Sequence, residues 1–183
     1  MQALVTLLPE PYFQAIEDIW VELETRFDCQ HVYARPKPHF TWQFAESYND
    51  AYADALEDLC SVQSALEVRT DIVTRFSEFD PVVFLRIVPN PELLDLHRKL
   101  WESLHPFCDK PSLLYQPGDW VPHITIKSSM NEDGWCNPAA VRDFLLSRDL
   151  RWTFTVDRLT MLSLSDHNTW DDEKEFLLGL GLK

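Results

Sequence analysis

Pro38-His39-Phe40-Thr41-Trp42 and Pro122-His123-Ile124-Thr125-Ile126 are one short phrase written twice, with the two histidines 84 positions apart. Proline fixes its own φ and pushes the residue before it towards extended backbone, so Pro36 and Pro38 lead the first phrase into a strand reaching about Phe44. Side chains alternate faces along a strand. Within each phrase the His and the Thr therefore share one face, while Phe40, Trp42, Ile124 and Ile126 point into the opposite layer. Two such strands facing each other would gather two imidazoles and two hydroxyls around one cleft.

The regions around the phrases repeat as well. Residues 2 to 8 read as a first strand. After Pro9 and Pro11, Tyr12, Ile16, Ile19, Trp20, Leu23 and Phe27 recur at helical spacing. Asn49 or Asp50 can cap a helix with Tyr52, Leu56, Leu59 and Cys60 on its inner face, running to about Ser64. Residues 66 to 76 and 82 to 88 form a hairpin pattern around Glu78-Phe79-Asp80-Pro81. Asn90 caps a third helix with Pro91 at its first position and Leu93, Leu94, Leu96, Leu100 and Leu104 on its core face. Beyond the Pro117-Gly118-Asp119 turn and the second phrase come a loop containing Gly134, a helix from about Pro138 to Arg148, one long strand pattern from Trp152 to Leu164, and a last strand near Glu175 to Leu180. The strand after the helix begins 27 residues beyond His39 in one half and 29 beyond His123 in the other. This matching layout predicts a single α+β domain spanning residues 1–183. It is a bilobal, pseudo-twofold duplication with half-repeats at roughly 36–88 and 120–181, antiparallel sheets meeting in a central cleft and helices outside.

Composition narrows the function. The 183 residues are 45% hydrophobic and 13% aromatic, enough for one sizeable core. The net charge of −14 argues against extended nucleic-acid binding, because the surface repels a polyphosphate chain. No run is long and apolar enough for a membrane span, and Met1 to Leu8 lacks the basic start of a signal peptide. Cys29, Cys60, Cys108 and Cys136 are widely spaced with no CxxC pair, so neither a disulfide framework nor a zinc site is expected, and a cytoplasmic, monomeric protein fits best. There is no GxSxG elbow and no glycine-rich phosphate loop. Asp171-Asp172-Glu173 reads as a solvated turn, and Ser165-Asp166-His167-Asn168 as another. His31, His97, His105 and His167 take no part in the proposed chemistry.

The paired phrases, HFTW and HITI, resemble the HxTx motifs of the two-histidine (2H) phosphoesterase superfamily, which includes the 2′-5′ RNA ligase-like proteins and cyclic nucleotide phosphodiesterases. The resemblance extends over most of the chain in layout. It implies catalytic roles for His39, Thr41, His123 and Thr125, and a substrate bearing a 2′,3′-cyclic phosphate or a 2′-5′ linkage.

The chemistry is consistent on its own terms. In-line displacement at phosphorus needs a base, an acid and donors to the non-bridging oxygens. Imidazole, with a pKa of about 6.5, can serve as either base or acid near neutrality. The threonine hydroxyls can donate to the phosphoryl group. Neither a metal nor a cofactor is required, and the residues leave open which histidine is acid and which is base. A nucleotide-binding module without turnover is the competing reading.

Around this centre, Lys127 two residues past Thr125 is expected to continue the His-Thr face towards phosphate, with uncharged Gln43 in the corresponding place after Thr41. Tyr115 and Trp120 are placed to stack on a nucleobase, although Trp120 also suits a loop anchor in the core. Tyr33 and Arg35 occupy the matching place before the first phrase and are expected to contact base and phosphate respectively, Arg35 and Lys37 being the local cations there. The expected ligand is a small nucleotide or a short RNA end carrying a cyclic phosphate.

Overall fold

The computed structural model describes residues 1–27, 29, 37–77, 82–127, 138–165 and 169–179. In chain order the elements are β1 (Gln2–Leu7), α1 (Tyr12–Phe27), β2 (His39–Ala45), β3 (Ser47–Tyr48), α2 (Tyr52–Val62), β4 (Leu66–Arg75), β5 (Val83–Ile87), α3 (Pro91–Leu104), β6 (Cys108–Asp109), β7 (His123–Lys127), α4 (Pro138–Leu146), β8 (Thr153–Val156), β9 (Arg158–Leu164) and β10 (Trp170–Leu177). Single 3₁₀ turns occupy His105–Phe107 and Leu113–Tyr115. The fold is α+β, as the periodicity predicts.

Eight strands form one antiparallel sheet in the order β10-β9-β1-β2-β7-β5-β4-β8, while β3 and β6 pair separately. The order is symmetric about its centre. The phrase strands β2 and β7 are neighbours, each flanked by the strand that precedes it through a helix: β1 leads through α1 to β2, and β5 through α3 to β7. The spatial halves interleave the chain, since β9 and β10 lie on the β2 side and β4 and β5 on the β7 side.

The pattern from Trp152 to Leu164, expected as one strand, is two. β8 pairs with β4 at one end of the sheet, and β9 pairs with β1 and β10 at the other, with Asp157 alone between them. One residue bridges at most about 7 Å, so the sheet must curl until its ends nearly meet. The last strand also starts earlier than expected. Asp171-Asp172-Glu173, expected as a turn, lies inside β10, where pairing with β9 outweighs the poor strand propensity of Asp. Acidic residues suit this position, because β10 is an edge and charge discourages edge-to-edge association.

The convex face of the sheet carries the core. Ile16, Ile19, Trp20 and Leu23 of α1, Leu56 and Cys60 of α2, Leu93, Leu96, Leu100 and Leu104 of α3, and Val141 and Leu145 of α4 pack with Leu4, Phe40, Trp42, Leu85, Ile87, Ile124 and Ile126. Asn90 caps α3, its side-chain oxygen accepting from the Leu93 amide at 2.7 Å, with Pro91 at the first position. Leu94, expected on the core face, is exposed, and His97 takes a place there instead. Asn49 does not cap α2 in that manner. The cap position is Ala51, and Asn49 Oδ1 accepts from the Ala51 amide at 3.1 Å, turning the chain one step before the helix.

Cys60 and Cys108 are free thiols, but Cys29 is disulfide-bonded, which corrects the expectation of four unpaired cysteines. Sequence spacing reveals no pair that only the fold brings together. Among the described residues no helix is long and apolar enough to cross a membrane.

Candidate active site

β2 and β7 meet at a single register pair, Phe40 opposite Ile124, both buried. Antiparallel pairing about that point sets His39 opposite Thr125 and Thr41 opposite His123 on the concave face. All four side chains are half-buried. Directly opposed residues have Cβ atoms about 5 Å apart and diagonal ones roughly 7–8 Å. The two imidazoles thus sit on one diagonal of a small rectangle and the two hydroxyls on the other.

Each imidazole is held in the same way. His39 Nδ1 lies 2.7 Å from the Lys37 carbonyl oxygen, and His123 Nδ1 lies 2.6 Å from that of Val121. A carbonyl only accepts, so Nδ1 carries the hydrogen and Nε2 is left for the cleft. Burial pulls both imidazoles below the usual histidine pKa, against the pull of these backbone bonds. At His39 the nearby His123 charge lowers it further.

Two β-bulges decide what surrounds the rectangle. Leu4 and Val5 are adjacent on β1 but pair with Gln43 and Thr41, two apart on β2; Val83 and Phe84 are adjacent on β5 but pair with Lys127 and Thr125, two apart on β7. A bulge adds one residue and reverses the alternation beyond it. Gln43 and Lys127, expected on the His-Thr face, are turned into the buried layer, at 0% and 3% exposure. Gln43 instead donates to Cys108 Sγ at 3.9 Å, and burial lowers the Lys127 pKa. Phe44, past the first bulge, takes the concave face, where it packs with Ala3, Val5, Leu7, Leu162 and Trp170.

An indole anchors each bulge. Trp120 Nε1 donates to the Thr41 carbonyl at 3.0 Å, and Trp20 Nε1 to the Ile126 carbonyl at 2.9 Å. Trp120 is therefore not a base-stacking residue. It is 7% exposed, stacked against Trp42 at 5.4 Å and against His97 at 3.9 Å with the rings 6° from parallel. Tyr115 does reach the site, but through its hydroxyl, which lies beside the Thr41 side chain; burial raises its pKa, against the pull of Thr41. Lys37 is ion-paired with Asp172 at 2.5 Å. Tyr33 and Arg35 lie outside the described residues.

His97, given no role by the sequence, holds this arrangement from behind. It is 2% exposed, and its Nε2 lies 3.0 Å from the Tyr115 carbonyl oxygen. Burial pushes its pKa down to about 4. In the unfolded chain histidine titrates near 6.5, so between these values the unfolded state binds more protons and folding weakens. Stability is expected to be fully present above about pH 6.5 and to fall as the pH drops towards 4. Urea midpoints across this range check it: relative to its own value at neutral pH, His97→Phe falls less than the parent.

Four further concave-face residues were not singled out from the sequence. Phe84 is opposite Thr125 and Arg86 opposite His123. The rings of Phe76 and Phe84 lie 5.1 and 5.0 Å from the His123 ring, Phe76 edge-on to it and 47% exposed. Arg86 is paired in a fork with Asp71 of β4. An arginine inside the apolar run Val82-Val83-Phe84-Leu85-Arg86-Ile87 is the one sequence signal that marks this face.

Comparison with known proteins agrees with this architecture. The family model described as the 2′-5′ RNA ligase superfamily matches residues 8–168. A Bacillus licheniformis protein named "Putative phosphoesterase" is 27% identical over 168 residues, covering 90% of this chain and 92% of that one. A protein of Geobacillus kaustophilus with the same description is 27% identical, covering 90% of each. Among solved structures, TT0787 of Thermus thermophilus superposes with a TM-score of 0.67 at 15% identity over 97% of both chains. Escherichia coli LigT complexed with 3′-AMP gives 0.61 at 16% identity, also over 97% of both. At those identities the structures speak for the fold alone. The chain belongs to the 2′-5′ RNA ligase superfamily, the two-histidine phosphoesterases.

Proposed function

We propose that the protein is a metal-independent phosphoesterase that opens a 2′,3′-cyclic phosphate, or cleaves a 2′-5′ phosphodiester, on a nucleotide or short RNA end. The observation that carries this reading is the β2–β7 register, which sets two imidazoles and two hydroxyls on one concave face, with both Nδ1 atoms occupied by carbonyls and both Nε2 atoms left for substrate. The relatives named as phosphoesterases support the same reaction class.

In the hydrolytic direction, one neutral imidazole takes a proton from water at Nε2 as the water oxygen bonds to phosphorus. The other, protonated, gives its Nε2 proton to the departing ribose oxygen as the P–O bond breaks. Thr41 and Thr125 donate to the non-bridging oxygens, on which charge accumulates. The reverse reaction exchanges the two roles. Phe76, exposed beside His123, offers an apolar surface to the nucleoside.

Turnover of a panel comprising nucleoside 2′,3′-cyclic phosphates, a 2′-5′ dinucleotide and a cyclic-phosphate-ended oligonucleotide tests the proposal. Activity is expected to persist in EDTA. The profile of kcat/KM should be bell-shaped with its maximum below about pH 6.5, because burial lowers both histidines. Binding of these compounds without turnover would make the protein a nucleotide-binding module instead. Turnover abolished by EDTA and restored by a metal would contradict the mechanism.

A further inference from the structure

Of the cations beside the two phrases, Lys127 is turned into the buried layer by the β7 bulge and Lys37 is held by Asp172, while Arg35 lies outside the described residues. Arg86 faces the cleft. Its register partner is His123, so it lies one strand further along the same concave row, and adjacent strands are about 4.8 Å apart. We propose that Arg86 is a phosphate-binding cation of this cleft and that Asp71 sets how strongly it binds. The inference rests on the active-site reading above and assigns a residue to it that the paired phrases do not contain.

The local geometry supports a held but available guanidinium. Between Thr70 and Val73, β4 carries an irregularity opposite the Arg86 segment of β5, which places Asp71 beside Arg86. Arg86 Nε donates to Asp71 Oδ1 at 3.0 Å, and Nη2 donates to Oδ2. Asp71 Oδ1 also accepts from the Ile72 amide at 2.7 Å, so the carboxylate is fixed before any ligand arrives. The fork uses two of the five guanidinium N–H groups and leaves three. The pair is not sealed, the Arg86 and Asp71 side chains being 44% and 29% exposed. A phosphate entering beside His123 meets donors pre-oriented for tetrahedral oxygens. Asp71 opposes that binding, because its charge offsets the guanidinium and its oxygens occupy one edge of the fork.

The competing explanation is a surface pair that only braces β4 against β5, and the two differ in sign. If the pair is a brace, removing either partner harms equally or does nothing. If Arg86 is the ligand, removing Arg86 weakens anion binding and removing the Asp71 charge strengthens it.

The experiment is calorimetric titration of the full chain with inorganic phosphate at one low ionic strength, with each variant's folding checked by circular dichroism. Arg86→Gln is expected to weaken binding by about 10-fold or more and Arg86→Lys to recover part of it, as for loss of a charge-assisted hydrogen bond. Asp71→Asn, which keeps the shape, is expected to tighten binding about threefold or more through loss of the opposing charge. Lys127→Met is expected to stay within about twofold, since its ammonium is turned away from the concave face and donates no hydrogen bond to a ligand there. The inference is overturned if Arg86→Gln and Asp71→Asn shift binding in the same direction, if neither shifts it, or if Lys127→Met carries the loss instead. Phosphate binding that is absent in the parent, or indifferent to both His39→Ala and His123→Ala, would overturn the active-site reading itself.

Discussion

His39→Ala and His123→Ala are each expected to lower kcat on a 2′,3′-cyclic nucleotide by about 10²- to 10⁴-fold, the usual contribution of one general acid or base. The fold should survive, because both side chains are half-buried at the concave surface and each is hydrogen-bonded to a carbonyl two residues away. The double variant should lose far less than the product of the two, since groups acting in one step do not add. A substrate with a nitrophenolate leaving group separates the roles. That oxygen departs without a proton, so the variant lacking the acid regains activity and the variant lacking the base does not. The structure treats the histidines unequally, with Phe76 and Phe84 around His123 and the Thr41–Tyr115 contact on the β2 side. This substrate pair would show how that difference is used.

Trp42→Ala is expected to be the most destabilising single change near the site, at about 3–5 kcal/mol, as for truncation of a fully buried large aromatic. Trp42 is 0% exposed, packs against Phe40 at 4.9 Å and stacks on Trp120 at 5.4 Å. Its Nε1 donates to Thr6 Oγ1 at 2.8 Å, a buried hydroxyl that would lose this donor. Against a typical domain stability of about 5–15 kcal/mol this is a large fraction. Activity should fall as well, because Trp120, no longer backed by Trp42, is the donor that holds the Thr41 carbonyl. Urea unfolding measures the loss, and Trp42→Phe, which keeps a ring but not the N–H, should recover most of it. A Trp42→Ala protein within 1 kcal/mol of the parent would contradict this account of the core.

The position of the rectangle was legible because it needs only local rules: a proline to extend the chain, alternation of faces, and a motif found twice. The helices were legible for the same reason, down to Asn90 and Pro91 at the start of α3. What the sequence could not display depends on pairing. Gln43 and Lys127 follow strict alternation in the sequence, and only the offsets against β1 and β5 reveal bulges that turn both side chains inward. The run from Trp152 to Leu164 looks continuous because both of its pieces are strands; that they belong to opposite ends of a curled sheet is a property of their partners. Asp171, Asp172 and Glu173 look like a turn until β9 is placed beside them. Arg86 and Phe76 reach His123 across strands, so their relation to it has no signature in spacing. Trp120 and Tyr115 sit in the loop the sequence pointed to, yet the ring of one is buried against His97 and the hydroxyl of the other meets Thr41.

The central claim is that both histidines address one phosphate, and imidazole NMR tests it most directly. In a titration of the protein with inorganic phosphate, the Nε2 resonances of His39 and His123 should shift together along one binding curve with a single site per chain, while their Nδ1–H signals remain hydrogen-bonded. Shifts confined to one of the two histidines, or two independent curves with separate saturation, would contradict it.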